Sequence, residues 1–229
     1  MSAGTDSVAP ALSSRRMIAT LGATALICGV LVVTAYQLTL PRIEKNERQM
    51  LERAVFQVLP SAVTRRTFVL TPDGLQRTTD VAPEGVAIQA GYDASGKLVG
   101  VAAEGAAHGY QDVVRLLYGY SPECECITGL YVLRNNDTPG LGSRISTDPE
   151  FLQNFKALSA RLNTDKTGLA HAIVTVKHGT KVEPWQIDAI SGASVTSRAV
   201  GKAINDSAQM VLPKVAAHYK ILRQVPKER

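Results

Sequence analysis

The longest apolar stretch of the chain lies near its N-terminus, between Met17 and Leu40, and contains no charged side chain. A helix needs about 20 apolar residues to cross a bilayer. The apolar region of a cleaved signal peptide is usually about 7 to 15 residues long, and no small-residue cleavage site closes this stretch. The pattern therefore predicts a retained transmembrane helix over residues 17–40.

After this stretch, hydrophobic positions recur at helical spacing, with Ile43, Met50 and Val58 among them. The spacing predicts a juxtamembrane helix that ends before Pro60. From Arg65 onward the pattern changes to short runs that are typical of strands: RTFVL, GVAIQAGY, LVGVAAEG and later ITGLYVLRN. Because the turn sequence DASGK separates the second and third runs, these two predict a hairpin.

The last of these strands leads into a loop rich in proline and glycine, NDTPGLGSRI. Asp148 and Pro149 then predict a helix start, with aspartate as N-cap, and EFLQNFKALSARL is expected to continue the helix. AHAIVTVKHG predicts another strand and SRAVGKAINDSAQMVL a closing helix. Because strands and helices alternate without a repeating βαβ unit, we expect an α+β domain with a mostly antiparallel sheet and flanking helices.

The pattern divides the chain into five segments. We expect an N-terminal tail over residues 1–16, the transmembrane helix over 17–40, the juxtamembrane helix over 41–60, one folded domain over 61–212, and a basic C-terminal tail over 213–229.

Charge and composition narrow the function. The formal net charge is +5, but acidic and basic residues alternate through most of the chain beyond the apolar stretch. Nucleic-acid-binding proteins instead gather basic residues in one patch. The four histidines are scattered, and no H-E-x-x-H motif is present. We therefore expect no nucleic acid partner, no metal site and no independent catalytic residue.

The cysteines add little to this picture. Cys124 and Cys126 form a C-x-C pair. Two thiols are too few for a zinc or iron–sulfur site, which needs about four ligands. Their sulfurs are also too close in sequence for an easy, unstrained disulfide. We therefore expect an inert pair.

Near the C-terminus, the sequence DAISGASVTS places four hydroxyl residues together: Ser191, Ser194, Thr196 and Ser197. In one interpretation, Ser194 or Thr196 caps the closing helix by accepting a backbone hydrogen bond. In another, a serine is a hydrolase nucleophile, although the G-x-S-x-G pattern is incomplete here. His171 or His178 would be the base of such a site, and Asp188 would orient it.

Two further interpretations involve phosphate. A helix N-terminus offers unpaired N–H donors to an anion, Gly192 and Ala193 would allow it to approach the backbone, and Arg198 would supply charge. Alternatively, a hydroxyl at the helix start is esterified to the phosphate of a cofactor. The residues alone leave all four alternatives open.

The cofactor interpretation is supported by a resemblance to a known family. The stretch from Asp188 to Ser194 resembles the flavinylation signal D-x-x-[ST]-G-A-[ST] of FMN-binding domains, in which a flavin transferase joins FMN to the last hydroxyl residue. TPGLG, from Thr138 to Gly142, resembles the E-T-P-G-L-G loop in the G subunit of Rnf-type ion-translocating electron transport complexes. The order of span, loop, helix and signal is also similar. The related C subunit of sodium-pumping quinone reductases shares this domain.

The resemblance implies FMN joined by a phosphoester to Ser194, with Thr196 as the second choice of acceptor. We expect the other cofactor contacts to come from the signal, the loop and two cations near the phosphate: Ser191, Gly192, Ala193 and Asp188; Thr138, Pro139, Gly140, Leu141 and Gly142; Lys177 and Arg198. Trp185 would contact the flavin or pack in the core. Two residues depart from the family pattern, because Asp137 replaces a glutamate and Ser194 a threonine.

The resemblance implies a membrane-anchored flavoprotein subunit that relays electrons in an Rnf-type complex of the bacterial inner membrane. Its partners would be the other subunits, and a flavin transferase would mature it. The domain would face the periplasm, although basic residues on both sides of the span leave the orientation ambiguous by charge alone. The alternatives are a membrane-anchored flavin-binding sensor or regulator, an adhesion-like or assembly protein, and the related C subunit.

Overall fold

The computed structural model describes residues 14–71, 74–77 and 85–223. Helix α1, Ser14–Val58, contains the apolar stretch and runs through Pro41 without a break. Within the described ranges, it is the one helix long and apolar enough to cross a membrane. It ends before Pro60, as predicted. Most of the expected N-terminal tail and the end of the C-terminal tail lie outside the described residues.

The chain divides into two compact units, Met1–Gln49 and Met50–Arg229. The second unit is built on a seven-stranded sheet in which all neighbouring strands are antiparallel, in the order β2-β1-β3-β4-β5-β6-β7. The strands are β1 Thr64–Thr71, β2 Gly74–Arg77, β3 Val86–Tyr92, β4 Leu98–His108, β5 Val113–Ser121, β6 Cys126–Arg134 and β7 Leu158–Ser159. The α+β class, the mostly antiparallel sheet and the β3–β4 hairpin are therefore confirmed.

Two short strands form a separate parallel pair, β8 Val174–Val176 and β9 Gln186–Asp188. The long strand predicted for AHAIVTVKHG is therefore reduced to three residues. The closing helix is confirmed as α3, Ser194–Ala217, and α4, Tyr219–Arg223, follows it.

The helix predicted after Asp148 is present but short. α2, Pro149–Gln153, begins as expected, because the Asp148 carboxylate accepts a hydrogen bond from the Phe151 amide at 3.2 Å. The predicted continuation through EFLQNFKALSARL is wrong, since a 3-10 turn follows at Asn154–Lys156. The Asn154 side chain donates to the Phe151 carbonyl oxygen at 3.0 Å, and such local bonds compete with helical ones.

The sheet is covered on both faces. α3 lies against β4 and β5, and its apolar side chains join the larger core cluster. On the other face, the last turns of α1 form a smaller cluster with sheet residues: Ala54, Val55, Val58, Leu59, Ala62, Ala102 and Leu117. Neighbouring residues in β4 divide between the clusters, because successive side chains of a strand point to opposite faces.

The end of α1 approaches the sheet closely. A Cβ atom at Gly129 would lie 2.9 Å from the Val58 Cα atom, so a larger residue there would displace the helix. The Thr128 hydroxyl donates a hydrogen bond to the Val58 carbonyl oxygen at 2.8 Å. This bond satisfies one of the carbonyl groups that the helix end leaves unpaired.

The expectation for the C-x-C pair is wrong, because Cys124 and Cys126 form a disulfide in the turn between β5 and β6. Their Cα atoms are 5.2 Å apart, within the ordinary range for a disulfide. Glu125, between them, has a φ angle of +50°. This left-handed conformation folds the backbone back, so that two cysteines one residue apart turn their side chains toward each other.

Candidate functional site

The loop after β6 and the turn before α3 meet at a buried hydrogen bond. The Thr196 hydroxyl donates to the Asp137 carboxylate at 2.6 Å. Thr196 lies in the first turn of α3, and Asp137 directly precedes the TPGLG sequence. The two motifs that carry the family resemblance therefore form one site.

Asp137 links three segments of the site. Its carboxylate also accepts hydrogen bonds from the backbone amides of Gln111, at 2.8 Å, and Tyr110, at 3.1 Å. Burial by itself raises the pKa of Asp137, but the hydrogen bonds from Gln111, Thr196 and Tyr110 outweigh this effect and hold the pKa below its usual value. The carboxylate is therefore ionised at neutral pH, and it accepts its hydrogen bonds from protein donors. The aspartate that replaces the family's glutamate thus has a structural role.

Close packing around this bond explains the last glycine of the loop. A Cβ atom at Gly142 would lie 2.5 Å from the Asp137 Cβ atom and 2.9 Å from the Thr196 hydroxyl oxygen. Any side chain at position 142 would therefore separate the loop from α3. Asn135 supports the same approach, because its side-chain amide donates to the Gly142 carbonyl oxygen at 2.9 Å.

Two glycines in the motifs adopt positive φ angles that residues with a Cβ rarely accept. Gly140 has φ +78° and Gly192 has φ +83°. A Cβ atom built on Gly192 would lie 3.8 Å from a methyl carbon of Leu141, so the loop and the signal turn are neighbours at the surface. Leu141 is 50% exposed.

The four hydroxyl residues divide into two pairs. Ser191 and Ser194 are exposed, whereas Thr196 and Ser197 are 1% and 0% exposed. The Ser197 hydroxyl accepts a hydrogen bond from the Ile190 amide at 3.1 Å and so fixes the signal turn to α3. The Thr196 hydroxyl is equally occupied, since it donates to Asp137. Ser194 is the exposed hydroxyl residue that stands at the start of the helix.

The capping interpretation is wrong. α3 begins at Ser194, its N-cap residue is Ala193, and no side chain there makes a capping hydrogen bond. The N–H groups of the first turn therefore have no side-chain cap, and the positive end of the helix dipole lies beside Ser194. This arrangement favours an anion next to the Ser194 hydroxyl.

Asp188 fixes the other end of the signal. Its carboxylate accepts a hydrogen bond from the Gly179 amide at 2.7 Å and lies 3.7 Å from the His178 ring nitrogen. The backbone N–H of Asp188 donates to the Asn154 side-chain oxygen at 3.0 Å. Asn154 is buried and also receives a hydrogen bond from Lys181 at 3.0 Å. Asn154 thus anchors the signal. Its position in a predicted helix gave no indication of this role.

The remaining predicted residues are less closely involved. Lys177, Arg198 and Pro139 are exposed, and no hydrogen bond or ion pair joins the Lys177 or Arg198 side chain to either motif within the described part of the chain. Trp185 stacks on the His171 ring, with centroids 3.9 Å apart. His171 is thereby placed against an aromatic ring, and within the described residues no histidine is hydrogen-bonded to a hydroxyl of the cluster.

Arg144 and two apolar residues were not predicted. The Arg144 guanidinium is paired with Asp148 at 2.6 Å and lies 3.5 Å from the Ser191 carbonyl oxygen. It borders a pocket of about 120 Å³ that Asp188, Ile190 and Ser191 also line. Tyr110 and Val195 are 71% and 43% exposed. In the sequence, Val195 is marked only by its position next to Ser194, and Tyr110 lies far from both motifs.

Comparisons with known proteins bear on this geometry. Residues 109–209 match the family model of the FMN-binding domain, and residues 13–58 match the model of the RnfG N-terminal region. The chain thus combines a segment similar to the RnfG N-terminal region with one similar to the FMN-binding domain, in that order. The G subunit of an ion-translocating oxidoreductase complex from Methanosarcina acetivorans is 29% identical over 196 residues, which cover 86% of this chain and 93% of that protein.

A second G subunit is similar over less of its length. The G subunit of a Na⁺-translocating ferredoxin:NAD⁺ oxidoreductase complex from Acetobacterium woodii is 33% identical over 117 residues, 51% of each chain. Among solved structures, NqrC from Shewanella oneidensis matches with a TM-score of 0.57 and 19% identity, over 79% of this chain and 100% of that one. That likeness shows a shared fold.

The residues at this site fit a phosphate-linked flavin. An exposed serine stands at an uncapped N-terminus of a 24-residue helix, which suits a phosphoester with its remaining negative charge. The glycine-containing turn leaves the backbone around Ser194 open. Leu141, Tyr110 and Val195 are exposed near the two motifs, and the Arg144 guanidinium, paired with Asp148, lies beside the signal turn.

Proposed function

We propose that this protein is the membrane-anchored flavoprotein subunit of an Rnf-type ion-translocating oxidoreductase complex and relays electrons through FMN joined covalently to Ser194. The observation that carries the proposal is the position of Ser194. It is exposed at the first residue of α3, beside the TPGLG loop, while the neighbouring Thr196 is buried and hydrogen-bonded.

The acceptor choice follows from access. A flavin transferase must bring its substrate phosphate to the hydroxyl oxygen, and burial of Thr196 and Ser197 closes that approach to both. Ser191 is exposed but lies three residues before the start of α3, on the other side of the positive-φ residue Gly192. Ser194 therefore combines access with the electrostatic benefit of the helix N-terminus.

The surrounding residues bind and orient the cofactor. The N–H groups of the first turn and the positive end of α3 stabilise the phosphate, with Arg144 and Arg198 adding charge. The exposed side chains of Leu141 and Tyr110 would supply apolar surface for the ring. When bound, FMN supplies one- and two-electron redox chemistry, and the protein supplies position and surroundings.

The shape of the site favours a relay over an enclosed active site. The loop and the signal turn lie at the surface, so partner subunits can approach a tethered cofactor. Covalent attachment would keep the cofactor in such an open site. We place the domain on the periplasmic side of the inner membrane, with α1 as the single-pass anchor and a flavin transferase as the maturing enzyme.

The test is flavin fluorescence of the denatured protein band after co-expression with a flavin transferase. We expect the wild-type band to fluoresce and Ser194→Ala to lose the signal completely. Thr164→Ala is the matched control, because it removes an exposed hydroxyl from a loop outside the signal, and it should keep the wild-type signal.

The outcomes separate the acceptors. Fluorescence that persists in Ser194→Ala and disappears when Thr196→Val is added would make position 196 the acceptor and overturn the assignment. If the wild-type band is dark but the protein copurifies with FMN before denaturation, the protein binds its flavin non-covalently. A protein without FMN in either assay would contradict the relay itself.

A further inference from the structure

A disulfide lies outside the candidate site, in the turn between β5 and β6. Its two residues differ in access, because Cys124 is exposed and Cys126 is 8% exposed. β5 begins next to the residues that bind Asp137 and ends at Ser121, before the disulfide turn. At about 3.3 Å per residue, this nine-residue strand puts the disulfide on the order of 25 Å from the site.

Two features indicate that the bond adds little to the stability of the turn. It joins cysteines only two positions apart, and the stabilisation that a disulfide gains from chain entropy falls as the closed loop shortens. Backbone hydrogen bonds already fix the segment. The Ala160 amide donates to the Glu125 carbonyl oxygen at 2.9 Å, and Cys126 pairs with Ser159 in the β6–β7 ladder.

We propose that Cys124–Cys126 is a thiol–disulfide exchange site that accepts two electrons from a dithiol. A thiolate of the dithiol attacks the exposed Cys124 sulfur, the Cys124–Cys126 bond breaks, and Cys126 leaves as a thiolate that takes up a proton. The second thiol of the reductant then attacks the mixed disulfide and releases Cys124, which is protonated in turn. The reductant becomes a disulfide, and the protein gains two thiols.

Charge around the turn indicates which thiols react. Glu123 and Glu125 flank Cys124, and both are exposed. Glu123 is paired with Lys97 at 2.5 Å, whereas Glu125 has no ion pair within the described residues. The uncompensated carboxylate of Glu125 repels an anionic thiol. The site therefore favours a dithiol whose attacking sulfur lies on a neutral or basic surface.

The test uses the full-length protein in detergent with Cys28→Ser, so that the pair supplies the only cysteines. New thiols are counted by mass after maleimide labelling, during incubation with the cationic thiol cysteamine or the anionic thiol glutathione. We expect no labelling without reductant, and reduction of the folded protein within about tenfold of the rate in urea. The ratio of cysteamine to glutathione rates should fall at least twofold in Glu125→Gln and stay unchanged in the control Glu150→Gln.

Three results would overturn the proposal. Labelling of the untreated protein would mean that the pair is not oxidised, and reduction only in urea would mean that it is inaccessible. A double variant, Cys124→Ser with Cys126→Ser, that unfolds far below the parent temperature would make the bond a structural support. A melting temperature within about 4 °C of the parent would support the exchange role. None of these readouts depends on flavin, so failure here leaves the proposed function untouched.

Discussion

Single residues decide how the two motifs come together. Asp137 and Thr196 form a buried hydrogen bond, Gly142 leaves room for it, and Ser197 holds the signal turn to α3. Ser194 alone of the residues in the first turn combines a hydroxyl with exposure. Neighbouring residues in this short sequence thus have different roles, because helix geometry points their side chains in different directions.

Replacing Asp137 should destabilise the protein in a pH-dependent way. Asp137→Asn gives up a carboxylate acceptor for buried donors, at a cost of about 1–3 kcal/mol at neutral pH. Because the pKa of Asp137 is lowered in the folded protein, its contribution is present above its unfolded pKa, about 3.9, and disappears as the pH falls through the folded pKa.

Urea unfolding of wild type and Asp137→Asn between pH 3 and 7, at about unit intervals, measures this contribution. The difference in unfolding free energy should shrink toward acid pH. A difference that stays constant over that range would contradict the assigned ionisation. Asp165→Asn, which removes an exposed carboxylate on another loop, serves as the control and should change little.

Gly142→Ala should loosen the contact between loop and helix. The new Cβ atom would meet both Asp137 and Thr196, and overpacking of this kind costs about 1–3 kcal/mol. Thermal unfolding and FMN attachment measured on the same samples should both decline. Unchanged stability would mean that the loop can move away from α3 without cost.

At the scale of elements, the signal is held at both of its ends by other parts of the fold. α3 fixes its C-terminal end through Ser197, and the 3-10 turn after α2 fixes its N-terminal end through Asn154. β9 carries Asp188 directly into the turn. The Ser194 hydroxyl is therefore positioned by α3, β9 and the 3-10 turn, although the motif itself is a turn.

Asn154→Ala should impair the site without touching Ser194. The change removes two hydrogen bonds to the Asp188 backbone and leaves its half-buried amide without this acceptor, at a cost of about 1–3 kcal/mol. Flavin attachment in vivo should fall severalfold relative to wild type at equal protein level. The control is Lys156→Ala, at an exposed position of the same 3-10 turn. An equal loss of flavin attachment in this variant would show that Asn154 has no specific role.

The sequence indicated the strands better than the short elements at the site. β1, β3, β4 and β6 were predicted from runs of apolar residues, because long strands bury one face or both and show it in their pattern. α2 and β8 were overextended, since Asn154 and the parallel pairing of β8 with β9 depend on residues distant in sequence. Such contacts leave no local pattern.

At the scale of the whole molecule, α1 contributes to two chemically different units. Its apolar N-terminal part lies in the first unit, and its last turns pack on the sheet of the second through Val58 and Leu59. Gly129 permits this contact. The anchor helix thus ends as part of the core of the folded domain, so a change at the contact should affect the stability of the whole second unit.

Gly129→Ala should therefore lower the stability of the full-length protein by about 1–3 kcal/mol, because the added methyl displaces Val58. Chemical unfolding in detergent measures the effect. Ala106→Ser, at an exposed position of β4, should stay within about 0.5 kcal/mol of wild type. Equal effects of the two variants on the unfolding free energy would show that the contact between the end of α1 and the sheet does not contribute to stability.

Membrane orientation has its own test. The full-length chain should stay with the membrane fraction after an alkaline wash, and alkaline phosphatase fused to its C-terminus should be active in intact cells. If the alkaline phosphatase fusion is inactive and a cytoplasmic reporter fused at the same position is active, the domain lies on the other side of the membrane.

The sequence by itself determined the anchor helix, the α+β class, the hairpin, the helix after the signal and the family resemblance, because each rests on periodicity or on residues close along the chain. The tertiary structure decided which hydroxyl is available, what Asp137 binds, that Asn154 anchors the signal and that Cys124 pairs with Cys126. Burial and hydrogen bonding between segments set these features, and two of the partners, Asp137 and Thr196, are 59 residues apart.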